Sequence, residues 1–166
     1  LKIGAYPTFF YNALGGGGKG TLLPSKNNNV LTISFSSKTF SIPPLTSRTT
    51  KFLFLPLPPG LKIEMSMDKL EGTINKNSGE ILFKFESKFI LTIGGMIKFP
   101  HLLVKTSLTT DRVKGKLHEG KGIVLQKNGK TKLVGISIIP PTGNRLLDIF
   151  LGLPNEALAE LQCEIK

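Results

Sequence analysis

Apolar and polar side chains alternate most regularly within the stretch Glu80 to Lys105, EILFKFESKFILTIGGMIKFPHLLVK. From Ile81 to Ile93 every odd position except Ser87 is apolar, and the other face carries Lys84, Glu86, Lys88 and Thr92. A period of two is that of a β-strand. At roughly 3.3 Å per residue such a strand would span about 43 Å. That is long for one strand, so we expect a bend or bulge at Ser87.

Shorter segments with the same period precede this stretch. VLTISFSS begins at Val30, and KTFSI (38–42), which ends at two prolines, is predicted to be its hairpin partner. In KFLFLPL (51–57) four apolar residues follow one another, which is typical of a strand buried on both faces or lying against a partner. LKIEMSM (61–67) alternates again, and we expect it to be a strand.

Asparagine and glycine indicate two hairpins. NKNSG (75–79) joins KLEGTI to EILFKFE, and Asn128-Gly129 lies between GIVLQK (122–127) and KTKLVGISII (130–139). Both residue types tolerate the positive φ that tight reversals require. We therefore predict a pair of antiparallel strands around each of these turns.

One short helix is predicted near the C-terminal end, RLLDIFL (145–151), with Asn144 as its N-cap and Gly152 at C′. Its apolar face is expected to contain Leu146, Leu147, Phe150 and Leu151. At about two turns it needs tertiary packing, and we expect it to plug one end of the sheet. The tail NEALAELQCEIK (155–166) fits both strand and helix patterns, and a closing strand is predicted for its second half.

Together these elements predict a mainly β protein of about ten short strands, either an antiparallel barrel or a two-sheet sandwich. The chain of 166 residues suits one domain. Residues 30–166 form this single β-rich domain, and residues 1–29 a glycine-rich N-terminal arm with no sustained periodicity. We expect the arm's aromatic residues either to fold back onto the core or to lie across a partner.

Charge narrows the choice of partner. The net charge is +11, and residues 1–63 contain no Asp or Glu. The basic residues are scattered singly rather than grouped, and no RNA-recognition signature is present, which disfavours nucleic acid. A solvated face, or a surface that meets an acidic protein or anionic lipid headgroups, fits better. No apolar run approaches the roughly 20 residues of a membrane-spanning helix.

Candidate chemistry is scarce. Gly15 to Gly20 satisfies G-x-G-x-x-G, but no helix start follows it, so we predict no dinucleotide or phosphate site. The two histidines, His101 and His118, lack a metal-ligand or catalytic spacing and are expected to be a loop residue and a surface residue. Cys163 is expected to be a small apolar side chain. We predict no catalytic residue, cofactor or metal.

Apolar material is abundant by comparison. The aromatic cluster of the arm, FLFLPLPP and LLDIFLGLP have no evident intramolecular use, and they serve either as core or as a docking surface. The predicted partner-binding residues are Tyr6, Phe9, Phe10, Tyr11, Lys19, Phe52 and Phe54.

The segments LLVKTSLTT and LVGISIIPPTGNRLLDIFLGLPNEALAELQCEI resemble the C-terminal part of β-rich plastid proteins of algae, which include photosystem accessory subunits. This resemblance covers about the last third of the chain. It implies a non-catalytic subunit peripheral to the thylakoid membrane on its stromal side, with photosystem I as the favoured partner. No motif carries a functional residue over to this chain.

The sequence therefore predicts an accessory subunit that docks on a membrane protein complex by its N-terminal arm and its apolar and basic surface, with possible peripheral contact with the membrane surface. The alternative is a lipocalin-like barrel whose apolar interior binds a lipid or a pigment. An enzyme is disfavoured because side chains suited to acid-base chemistry are few.

Overall fold

The computed structural model describes residues 1–25 and 27–166, so Lys26 lies outside the described residues. Strands make up 53% of the chain and helix 4%, which confirms the mainly β prediction. The elements are β1 (Lys2–Ile3), β2 (Phe9–Tyr11), β3 (Gly20–Leu23), β4 (Val30–Phe35), β5 (Thr50–Phe52), β6 (Leu55–Pro56), β7 (Leu61–Asn75), β8 (Ile81–Ile93), β9 (Ile97–Lys98), β10 (Leu102–Thr109), β11 (Arg112–Lys114), β12 (Glu119–Lys121), β13 (Lys130–Ile139), α1 (Arg145–Leu151) and β14 (Asn155–Glu164).

The main sheet is antiparallel and open. Its strand order is β1-β14-β13-β10-β8-β7-β4-β3, and β9 adds to β8 beyond the end of β10. The two edge strands, β1 and β3, do not pair with each other, so of the two predicted architectures the barrel is excluded. Two small sheets, β11-β12 and β2-β5-β6, accompany the main sheet, and a sandwich-like arrangement is consistent with this layout.

The β7–β8 pair is the spine of the main sheet. β8 runs unbroken through Ser87, whose side chain is buried and donates a hydrogen bond of 2.8 Å to the carbonyl oxygen of Ser66. The irregularity lies opposite, on β7: Met67 faces Ser87, Lys69 faces Glu86, and Asp68 is the extra residue of a bulge. The predicted bulge is therefore on the partner strand, because one inserted residue on β7 is enough to bend both.

This bulge explains a change of parity along β7. Before it the inward side chains are at odd positions, ending with Met67, and after it they are at even positions, beginning with Leu70. Met67 and Leu70 therefore both join the core cluster, which consists of Ile33, Met67, Leu70, Ile74, Ile81, Phe83, Leu108 and Leu133. Residues of β4 and β14, which lie four strands apart, both pack against this cluster, so the sheet curls around it.

The β11–β12 hairpin covers the opposite face of β13 and β14. Val134 and Leu158 beneath it are fully buried. Gly120 leaves room for this contact, since a Cβ there would come within 3.2 Å of the Leu158 side chain. The hairpin loop is held by Glu156, whose carboxylate accepts the backbone N–H groups of Lys116, Leu117 and His118 at 2.7–3.0 Å.

Three segments that were predicted to be single strands form other structures. KTFSI is a turn and a single bridge, and β4 pairs with β3 and β7 instead. GIVLQK contributes one bridge, Ile123 to Lys132, because β10 and β14 already flank β13. KFLFLPL is a hairpin, β5 and β6, rather than one strand. The KLEGTI–EILFKFE hairpin is confirmed by the pairing of Ile74 with Ile81.

Residues 1–25 contribute a strand to three different places. β1 pairs with β14, β2 with β5, and β3 with β4. Glycine permits a close approach here: a Cβ on Gly18 would lie 2.9 Å from the Phe40 backbone, and one on Gly20 would lie 2.5 Å from Ile33. Gly20 begins a strand, and the prediction that no helix starts after the glycine run is confirmed.

The helix begins and ends where predicted. The side chain of Asn144 accepts the N–H of Leu147 at 3.0 Å, and Gly152 adopts the left-handed conformation with φ 62°. Its packing differs from the prediction, since Leu147 is buried whereas Leu146 and Phe150 point to solvent. β14 spans Asn155–Glu164 and is an inner strand between β13 and β1, longer than the closing strand predicted for the second half of the tail.

Candidate docking surface

The small sheet β2-β5-β6 is built around aromatic residues. Phe9, directly opposite Phe52, stacks on it with 4.6 Å between ring centroids and 27° between ring planes. On the other face of β2, Phe10 stacks on Phe54 at 6.2 Å. Two parallel stacks on a three-stranded sheet hold the rings in fixed positions, since offset stacking adds to the packing of each ring.

The turn between β5 and β6 is strained. Its two residues, Leu53 and Phe54, have φ of 51° and 65°, and they are the only described non-glycine residues with positive φ. Asn and Gly are the usual residues of such a two-residue hairpin turn. For ordinary L-residues this left-handed conformation costs roughly 1–2 kcal/mol each. Two large apolar residues therefore occupy a turn at a cost in stability. Backbone outliers of this kind are often found at functional sites.

The side chains at this turn are exposed. Phe54 is 83% exposed, Leu55 68%, and Leu53 and Phe10 56% each. We call these four residues the hairpin tip. Large apolar side chains usually leave water when a protein folds, so a group of four that stays exposed on one rigid support is typical of an interaction surface.

Two further exposed apolar groups exist. The first is the turn after β8, with Ile93 41%, Met96 89% and Ile97 58% exposed, which we call the β8–β9 turn. The second is the outer face of α1, where Leu146, Ile149 and Phe150 are 77%, 68% and 61% exposed. The spacing of these three helical residues puts them on one stripe.

The β8–β9 turn and α1 lie at the same end of the main sheet, and the segments on either side of the small sheet are joined to them. The antiparallel register sets the C-terminal end of β8 beside the start of β10 and β7, and α1 connects the adjacent ends of β13 and β14. The hydroxyl of Tyr6 donates a hydrogen bond to the carbonyl oxygen of Phe150, which ties the segment before β2 to α1. Gly94 donates to the carbonyl oxygen of Gly60 at 2.9 Å, which ties the β8–β9 turn to the segment after β6. We call the three groups together the apolar end.

Cations accompany each of the three groups. Seven ion pairs of 2.6–3.3 Å join lysine or arginine to carboxylates in the described part of the chain. Of the 22 Lys and Arg residues these pairs use seven, and Lys26 is not described, so 14 have no carboxylate partner. The unpaired cations include Lys51 on β5, Lys98 on β9 and Arg145 on α1, all exposed.

The acids at or near this end are used internally. The Thr142 hydroxyl, and then the backbone N–H groups of Thr142 and Gly143, hold the pKa of Asp148 below its ordinary value. Burial opposes ionisation of Glu156, but its three backbone N–H donors outweigh burial, and its pKa also lies below the ordinary value. Glu64 is paired with Lys62 at 2.6 Å. Lys62 neutralises Glu64, whereas Asp148 and Glu156 keep their negative charge because their donors are neutral, so the excess of positive charge lies at the hairpin tip and the β8–β9 turn.

The histidines and the cysteine of the described residues lie apart from one another. No group of three or more His, Cys, Asp or Glu residues suited to a metal occurs within residues 1–25 and 27–166. His101 is an exposed loop residue as predicted, whereas His118 is half-buried, with its Nε2 buried and without a hydrogen-bond partner. Burial raises the pKa of the Cys163 thiol, and Cys163 packs against the core cluster.

The predicted partner-binding residues divide into three groups. Phe10 and Phe54 are in the hairpin tip. Phe9, Phe52 and Tyr11 lie on the opposite face, half-buried, and the Tyr11 hydroxyl donates to the carbonyl oxygen of Pro43. Tyr6 contacts α1, and Lys19 is an exposed residue just before β3.

Sequence reasoning missed the exposed residues of the β8–β9 turn and the outward direction of Leu146 and Phe150. A signal was present in both cases. Gly94-Gly95 ends the alternation before Met96 and Ile97, so these two residues are outside the buried strand pattern. The five apolar residues of RLLDIFL spread over more than half of the circumference of a two-turn helix, and one sheet cannot bury a face that wide.

Comparison of the chain with protein-family profiles, curated proteins and solved structures gives no match. Within the described residues there is no helix with the length and hydropathy needed to cross a membrane.

Proposed function

We propose that this protein is a non-catalytic accessory subunit that docks on a membrane protein complex through the hairpin tip. The observation that carries the proposal is the strained turn: Leu53 and Phe54 occupy positive φ, are exposed, and are backed by the Phe10 stack. A rigid apolar projection suits a preformed groove, because little conformational entropy remains to be lost on binding.

Charge supports a partner with an acidic rim. Lys51, directly opposite Phe10 on the neighbouring strand, is exposed and unpaired, and the small sheet contains no acidic residue. An apolar centre with a charged margin is the usual anatomy of a protein interface. For the identity of the complex, the resemblance of the last third of the chain to photosystem accessory subunits supports a plastid photosystem, with photosystem I favoured and the stromal side of the thylakoid as the location.

The alternative of a lipid- or pigment-binding barrel lacks this kind of support. The main sheet is open, and the two concavities beside α1 and at Lys88 to His101 are open surface clefts. An organic extract of the purified protein that contained a stoichiometric lipid, carotenoid or tetrapyrrole would favour the alternative over docking.

The test of docking is the native mass of the particle that carries this chain after mild detergent solubilisation of its source membranes. We expect migration far above the chain's own 18.1 kDa, with the partner identified among the co-migrating proteins. The double variant Leu53→Asn with Phe54→Gly should migrate free. The matched control is Leu14→Asn, which removes a leucine as exposed as Phe54 from a turn without positive φ at that residue and should remain in the particle. Free migration of the unaltered chain would overturn the proposal.

A further inference from the structure

We propose that the other two parts of the apolar end, the β8–β9 turn and the outer face of α1, insert into the headgroup region of an anionic lipid bilayer. This goes beyond docking on a protein, since it assigns a second surface and a different kind of partner. The hairpin tip would contact protein while these two segments contact lipid beside it.

The shape of the two segments suits lipid. Met96 and Ile97 project from a turn in which Gly94 and Gly95 have positive φ and open space around them. On α1 the exposed stripe of Leu146, Ile149 and Phe150 is backed by Leu147, which is buried and anchors the helix. A protein partner would need a separate complementary pocket for each of these projections, whereas the interfacial layer of a bilayer accepts separate apolar projections without a matching shape.

The charge of the two segments suits an anionic surface. Lys98 follows Ile97 directly, and Arg145 precedes Leu146 directly, so each apolar segment has an unpaired cation next to it. Of the nearby carboxylates, Glu64 is neutralised by Lys62, and Asp148, which accepts hydrogen bonds from Thr142 and Gly143, stays ionised and offsets part of the charge of Arg145. Lys98 is therefore the stronger of the two cationic contributions. Apolar side chains with adjacent Lys or Arg are the usual composition of interfacial membrane segments, because the long cationic side chains reach back to the lipid phosphates.

A fluorescence experiment can locate the contact, because the chain has no tryptophan. Single reporters Met96→Trp and Phe150→Trp should each show a blue shift of emission when vesicles of phosphatidylcholine containing about one-third phosphatidylglycerol are added. The matched reporter Leu22→Trp, at an exposed leucine on β3 far from the apolar end in the strand register, should show no shift. An equal shift at all three positions, or a shift at none, would overturn the proposal.

Vesicle co-sedimentation gives the energetics. The double variants Met96→Ser with Ile97→Ser and Leu146→Ser with Phe150→Ser should each weaken partitioning about tenfold or more, since each removes two exposed apolar side chains. Lys98→Gln with Arg145→Gln should weaken binding to anionic vesicles roughly tenfold and leave binding to pure phosphatidylcholine unchanged. The control Leu14→Ser with Leu22→Ser should bind normally. Unweakened partitioning of the apolar variants, or an equal charge effect on both vesicle types, would contradict the insertion.

Failure of this proposal and failure of protein docking have different signatures. The variant Leu53→Asn with Phe54→Gly should lose the protein complex while keeping vesicle binding within about twofold. The apolar variants of the β8–β9 turn and α1 should lose vesicle binding while keeping the protein complex. A chain that enters the complex but shows no reporter shift on vesicles would refute the lipid surface and leave docking intact.

Discussion

The turn between β5 and β6 allows a sharp test of whether its residues serve the fold or a partner. Replacing Leu53 and Phe54 together by Asn and Gly installs the residues that a two-residue turn with positive φ favours. The exchange also removes two large apolar side chains. A purely structural turn would lose stability, whereas a strained turn kept for binding would not.

The two contributions nearly cancel. Relief of positive φ at both positions should stabilise the fold by about 2–4 kcal/mol. The losses are the Phe10–Phe54 stack, about 1 kcal/mol, and the freedom that glycine gains on unfolding, about 0.7 kcal/mol. The buried fraction of the two side chains is small, because they are 56% and 83% exposed, and its loss costs about 1.5 kcal/mol. We therefore expect the free energy of unfolding to change by less than about 1 kcal/mol.

Thermal unfolding distinguishes the cases. For a chain of this size 1 kcal/mol corresponds to roughly 2–4 °C in Tm, so the double variant should melt within about 4 °C of the parent. The control Phe10→Thr breaks the same stack on a β-strand without positive φ, and it should lower Tm by roughly 3–6 °C. If the Asn-Gly variant instead lost about 3 kcal/mol, or roughly 6–12 °C, the strain would be absent and the tip would be structural.

Three further predictions concern the rest of the fold. Gly72→Ala should destabilise the protein by about 2–3 kcal/mol in urea unfolding, because a Cβ there would overlap the carbonyl oxygen of Leu82. The control Gly120→Ala should cost much less, because its Cβ would meet only flexible leucine and valine methyl groups. Equal losses of stability would contradict the close approach of the strands at Gly72. The pKa of Glu156 is lowered in the folded protein, so the carboxylate stabilises the β11–β12 loop fully above the unfolded pKa near 4.5, and this stabilisation is lost as pH falls through the lower folded value. Amide exchange of residues 115–118 should therefore speed up in that acid range, and Glu156→Gln should remove the pH dependence. If neither acid nor the substitution changed the exchange rate, this carboxylate would not hold the loop. Burial raises the pKa of Cys163, so its alkylation at neutral pH should be far slower in the folded protein than in denaturant, and comparable rates would place the thiol in solvent.

Period-two alternation predicted the strands that one face of the sheet buries, such as β8, and side-chain capping predicted both ends of α1. The alternation pattern failed to predict strands where the pairing partner is a segment distant in sequence. KTFSI has a strand pattern, but β3 takes its position beside β4. The strand choice for KFLFLPL failed because local composition gives no sign that Leu53 and Phe54 would accept positive φ.

The sequence of β7 also contains a signal of the bulge. In LKIEMSMDKLEGTIN the apolar positions change from odd at Met67 to even at Leu70, and a strand can keep both facing the core only if one residue is extra. Aromatic richness singled out Phe10 and Phe54, which are both exposed in the structure. It could not predict that the β8–β9 turn and α1 share one end, because that depends on the register of five strands, β7, β8, β10, β13 and β14.

The extra residue Asp68 also divides the β7–β8 pair into two halves that differ in what they position. On one side of it β7 and β8 carry Leu70, Ile74, Ile81 and Phe83 into the core, and on the other side they extend to the turn that bears Met96 and Ile97. A bulge sharpens the local twist of a strand pair. The direction in which that turn projects therefore depends on the bulge in the middle of the spine, some distance from Met96 and Ile97. Side chains at the turn are thus free to be exchanged for others of similar character, whereas the length of the spine at Asp68 is not free to change.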